Sequence, residues 1–121
     1  MIADLTVEQW EVLKAVAQTN TLPTGHQWPE VQGIVLQATK RALQAAATVF
    51  APPTDEESKQ FAAENIYLAE QLELFPNAPF TLQRLCEILC EPSKHHATRD
   101  GRIRGEVLQS AIRRCVLVSA E

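Results

Sequence analysis

Glycine is scarce in this 121-residue chain, which has only four. No Asn-Gly or Asp-Gly pair sits between alternating apolar runs, so the usual hairpin connections are missing and a sheet is disfavoured. No apolar stretch approaches the roughly 20 residues needed to cross a bilayer. The opening Met1-Ile2-Ala3-Asp4 lacks the basic flank and long apolar run of a secretory signal. Cysteines are few and odd in number (Cys86, Cys90 and Cys115), and none falls in a CxxC pair. Reduced thiols, and hence a cytoplasmic and nuclear location, are expected in preference to a disulfide framework. A Gly-rich phosphate loop, an internal repeat and a low-complexity tract are all absent.

What remains is the composition of an ordinary globular domain: 45% apolar and 21% charged residues. The length suits one core and not two, so residues 1–121 are read as a single domain. The net charge of −4 conceals an uneven distribution. Residues 1–92 carry five basic and twelve acidic side chains, whereas residues 93–121 carry six basic and three acidic ones. The C-terminal part is thus suited to an acidic partner that the rest of the chain would repel.

The periodicity predicts five helices in an all-α bundle. The first follows Thr6-Val7-Glu8-Gln9, a capping-box pattern with Leu5 as its staple. It lines up Trp10, Leu13, Val16 and Ala17 and ends within Asn20–Gly25. The second opens at Trp28-Pro29 and runs to Pro52-Pro53, with Val31, Ile34, Val35, Ala38, Ala42, Ala45 and Val49 as its apolar stripe. Thr54-Asp55-Glu56-Glu57 reads as another capping box. It opens a third helix that buries Phe61, Ala62, Ile66, Ala69 and Leu72 and fades before Pro76. The fifth carries Ile103, Val107, Leu108, Ala111, Ile112 and Cys115. Val116-Leu117-Val118 is open between a last helical turn and a short extended segment. Short connections suggest that helices adjacent in sequence pack largely against each other.

The fourth helix, residues 81–91, lies in the most distinctive string of the chain, Ala78-Pro79-Phe80-Thr81-Leu82-Gln83-Arg84-Leu85-Cys86-Glu87-Ile88-Leu89. Pro79 keeps Ala78 out of helical angles, and Thr81 is placed to cap the first free amides. Leu82, Leu85, Cys86 and Leu89 recur on one face, and Pro92 closes the element. This string closely resembles the signature of the protein phosphatase 4 regulatory subunit 2 family. A second block, Ala111-Ile112-Arg113-Arg114-Cys115-Val116-Leu117-Val118-Ser119, is similar to that family's apolar pair, polar triplet and apolar run. Trp28 matches its tryptophan at the start of the second helix. One departure stands out: Arg113-Arg114-Cys115 replaces the family's usual Glu-Lys-Asn.

The resemblance implies a helical domain like the family's N-terminal one and a non-catalytic role. The domain would bind the phosphatase 4 catalytic subunit and help assemble it with a further regulatory subunit, while the metals and the phosphoester chemistry belong to the partner. No catalytic, cofactor or metal site is predicted in this chain. The candidate partner-binding residues are Arg84 and Glu87 on the fourth helix and Arg104, Arg113 and Arg114 on the fifth. Arg84 and Glu87 carry two readings: an intrahelical ion pair, or a guanidinium fork offered to a partner carboxylate.

Three competing chemistries have sequence support of some kind. Cys86, Cys90, His95 and His96 invite a zinc site, yet structural zinc prefers tighter cysteine spacing within a loop. A Cys/His nucleophile lacks any accompanying oxyanion-hole or orienting motif. A helical nucleic-acid-binding module, or an acidic-peptide-binding one, would use Arg99, Arg102, Arg104, Arg113 and Arg114. Against nucleic acid stand the acidic balance of the whole chain and a connection between the fourth and fifth helices longer than a helix-turn-helix allows.

Overall fold

In the computed structural model, which describes residues 5–49, 54–91 and 105–117, the described residues form five helices. They are α1 (Val7–Thr19), α2 (Trp28–Val49), α3 (Asp55–Glu73), α4 (Leu82–Cys90) and α5 (Gly105–Val116), with no strand among the described residues. Ile103, Arg104, His95, His96 and the residues around Pro52 and Pro92 lie outside the described residues.

Local chemistry sets the helix ends. The Gln9 amide donates to Thr6 Oγ1 at 3.1 Å and the Thr6 amide donates to Gln9 Oε1 at 2.8 Å, a complete capping box. Asn20 then stops α1 in the left-handed region (φ 58°), its amide donating to the Val16 carbonyl. At α3 only the threonine half of the expected box forms, the Glu57 amide donating to Thr54 Oγ1 at 3.1 Å. Three acidic residues in that first turn complement the helix dipole.

The C-terminus of α3 has neither a glycine nor a basic residue to satisfy its last carbonyls, and α2 does this work instead. Trp28 Nε1–H donates to the Phe75 carbonyl at 3.0 Å. Gln32 Nε2 donates to Leu72 and Phe75 at 3.0 Å and to Glu73 at 3.2 Å. Trp28 is itself buried, so its ring packs in the core while its N–H serves as a cap.

Helix α2 is the centre of the bundle, touching all four others; its strongest partners are α3 and α5. Helix α1 packs mainly on α4 and only lightly on α2, which corrects the expectation that sequence neighbours pair. The reason is the α4 face: Leu82, Leu85, Cys86, Ile88 and Leu89 are all buried, and Leu13 and Val16 of α1 belong to the same core. Gln83 Nε2 also donates across to the Ala17 carbonyl at 3.1 Å.

The expected cores of α2 and α3 need adjusting. Ala45 is exposed, and Leu43 and Ala46 are buried instead. In α3, Ala62 and Ile66 are exposed while Leu68 joins Phe61, Ala69 and Leu72 inside. At about 100° per residue, Ile66 stands about 140° round the helix from Phe61, whereas Leu68 and Leu72 each return to within about 20° of it. Val116 completes the last turn of α5, the Leu117 amide donating to the Arg113 carbonyl at 2.8 Å. Of the segment left open, Val116 is helical, Leu117 lies in a bend after the helix and Val118 lies outside the described residues.

Candidate partner-binding face

Pro79-Phe80-Thr81-Leu82 closes a turn in which the Leu82 amide donates to the Pro79 carbonyl at 3.0 Å. The turn holds Thr81 at φ −88°, ψ 4°, away from the extended geometry of a capping residue, and its side chain caps nothing. This corrects the capping role read from the sequence. Thr81 Oγ1–H instead donates to the Cys115 carbonyl at 2.6 Å, binding the start of α4 to the end of α5. Together with the Gln83–Ala17 bond, it gathers the C-terminal ends of α1 and α5 around the N-terminus of α4.

Arg84 and Glu87 project from this junction. Arg84 Nη1 lies 3.8 Å from Glu87 Oε1, with the two side chains 51% and 43% exposed. Their charges reach Cys115 on α5, whose thiol is pushed up by burial, lowered in part by the Arg84 charge and raised again by Glu87. Arg114, next to Cys115, is exposed and has no ion-pair partner among the described residues. Arg113 turns the other way: its Nε sits 3.4 Å from Glu64 Oε1, tying α5 to α3. The structure therefore pairs Arg84 with Glu87 on α4, leaves Arg114 exposed on α5 and uses Arg113 in a contact between helices. Arg104 lies outside the described residues.

A large apolar side chain at the same junction escaped the sequence reading. Phe80 is 78% exposed at the tip of the turn, beside a cleft lined by Val16, Leu22, Pro79 and Leu82. The sequence signal was available: Phe80 precedes the helix and so shares no position with the buried stripe. Large aromatic side chains that stand exposed beside an apolar cleft are favoured as interface anchors.

All three cysteines are free thiols, Cys86 and Cys115 buried and Cys90 partly so. Burial, reinforced by Cys90, Cys115 and Glu87, raises the Cys86 thiol from 9.0 to about 12. Burial also raises Cys90, against the opposing charge of Lys14. Among the described residues no three His, Cys, Asp or Glu side chains converge to hold a metal, and no helix is long and apolar enough to cross a membrane.

The family model described as PPP4R2 matches residues 11–120, from within α1 to beyond the end of α5. The chain belongs to the PPP4R2 family. Over 37 residues it is also 51% identical to the Drosophila melanogaster protein named serine/threonine-protein phosphatase 4 regulatory subunit 2. That stretch is 31% of this chain and 6% of the fly protein, so the chain aligns with only a small part of that relative. No solved structure matches.

Proposed function

We propose that this chain is a non-catalytic regulatory or scaffolding subunit that binds the protein phosphatase 4 catalytic subunit and helps assemble or target the phosphatase complex. The observation that carries this reading is the match to the PPP4R2 family over residues 11–120. In this reading the chain acts as one helical domain, works with a further regulatory subunit and resides in the cytoplasm and nucleus. Phosphoester hydrolysis belongs to the catalytic partner.

The contact is assigned to the junction face, with Arg84 and Arg114 as cationic groups, Glu87 as their acidic neighbour and Phe80 as the apolar anchor. Arg84 is half exposed and its pair with Glu87 is long, so a partner carboxylate meets little competition for the guanidinium. Arg113 contributes less directly, by holding α5 against α3 through Glu64. Arg104 is retained as a contact on its sequence position alone.

The test is size-exclusion chromatography with light scattering on the chain mixed with purified phosphatase 4 catalytic subunit. A complex of defined mass is expected. Two separate peaks, persisting when the further regulatory subunit is added, would overturn the proposal.

A further inference from the structure

The first turn of α4 is anchored at three consecutive residues. Thr81 Oγ1–H donates to the Cys115 carbonyl at 2.6 Å, Leu82 is buried, and Gln83 Nε2 donates to the Ala17 carbonyl at 3.1 Å. The two acceptors lie in the last turns of α5 and α1, where carbonyls have no partner within their own helix. The start of α4 therefore caps two other helices, while its own first amides receive no side-chain cap.

Apolar packing alone does not require these bonds. Leu82, Leu85, Cys86, Ile88 and Leu89 already bury one face of α4. Burial is non-directional, so it holds a helix against its neighbours without fixing where the first turn comes to rest. A hydrogen bond has a preferred length and angle, and two of them, to two different helices, fix that turn in place. Phe80 and Arg84 bracket the anchored residues, and both are exposed. Their side chains reach solvent from a backbone that is already held. Interface residues preset in this way lose less conformational freedom on binding.

We propose that Thr81 and Gln83 are positioning residues for partner binding, which rests on the assignment of this face to the phosphatase 4 catalytic subunit. They touch no partner themselves; they hold Phe80 and Arg84 in the arrangement that the subunit meets. The polar residues of the α4 turn thus divide into two kinds, those spent on neighbouring helices and those presented outward.

The test is isothermal titration of the full chain against purified phosphatase 4 catalytic subunit, with thermal circular dichroism in parallel. Thr81→Val and Gln83→Met keep the size of the side chain and remove its donor. Each should raise Kd by about tenfold or more. Thr81→Ser keeps the hydroxyl and should bind within about twofold of the parent. Gln32→Ala is the control: it removes bonds of the same kind at the end of α3, should lower the melting temperature comparably, and should bind like the parent. Because Thr81 acts through its neighbours, Thr81→Val should cost less when combined with Phe80→Ala or with Arg84→Ala. The proposal is overturned if Thr81→Val and Gln83→Met bind like the parent, or if Gln32→Ala weakens binding as much as they do. It is overturned too if the Thr81→Val loss is undiminished in both combinations. A parent chain that forms no complex, with or without the further regulatory subunit, overturns the functional reading and takes this proposal with it.

Discussion

Reversing the charge at Arg84 separates a helix-stabilising role from an interface role, because the two predict effects of different size on different observables. The Arg84–Glu87 pair is 3.8 Å long and half exposed on both sides, so it contributes about 0.2–0.5 kcal/mol to the fold. Arg84→Glu removes that and adds a similar repulsion, for a total cost of about 0.5–1 kcal/mol. In a domain of this size the melting temperature should fall by about 2–5 °C. If the guanidinium is instead desolvated against a partner carboxylate, the loss in binding is about 2–5 kcal/mol, or roughly 30-fold to several thousandfold in Kd. The assay pairs thermal circular dichroism with isothermal titration against the catalytic subunit. The swapped variant Arg84→Glu/Glu87→Arg sharpens it, since the swap restores the intrahelical pair but leaves a partner carboxylate facing a glutamate. It should melt like the parent and still fail to bind. Parent-like affinity in the swapped variant would refute the interface role and leave only the ion pair.

Other expectations follow from the packing and the thiols. Leu85 is fully buried, so Leu85→Asp should cost more than about 4 kcal/mol and abolish the cooperative melt; a folded variant would mean that the α4 face is wrongly assigned. Trp28→Phe and Gln32→Ala each remove donors to the last carbonyls of α3 and should each cost about 1 kcal/mol. Because both side chains donate to Phe75, a double-mutant cycle in urea should show coupling beyond about 0.5 kcal/mol. The Cys86 thiol is raised from 9.0 to about 12 in the folded chain. Above pH 9 the unfolded chain releases a proton that the folded one retains, so stability is full below about 9 and falls as pH rises toward 12. Melting curves across that window should lose less in Cys86→Ala than in the parent. At pH 8 a thiol reagent should label partly exposed Cys90 ahead of Cys86 and Cys115, and labelling of all three at one rate would contradict the burial.

The residues that specify local structure were readable without the fold. Thr6 and Gln9 announce their own capping box, and the stripe of Leu82, Leu85, Cys86 and Leu89 is buried as its spacing implies. The resemblance carried by the string at residues 79–89 pointed to the family that the match over residues 11–120 shows. Where a side chain had two possible partners, local rules failed. Thr81 has the right identity for a cap, but the preceding turn redirects its hydroxyl to Cys115. Arg113 looks like a free cation in a basic helix until α3 brings Glu64 beside it. Ile66 fits an apolar stripe on spacing alone, yet Leu68 takes the core because it returns to the angle of Phe61.

The sequence by itself determined that this chain is helical, where its helices begin and end, and which family it belongs to; these depend on backbone preferences and on short strings of residues. Only the tertiary structure decided that α1 packs on α4, that Trp28 and Gln32 cap another helix, and that α3 turns Ile66, Tyr67 and Leu74 toward solvent. Those outcomes depend on contacts between residues some 30 to 70 positions apart, whose geometry no local pattern encodes. The arginines show the division most clearly. Their number and placement are written in the chain, but which one is occupied and which is available is settled by the helix that packs beside them.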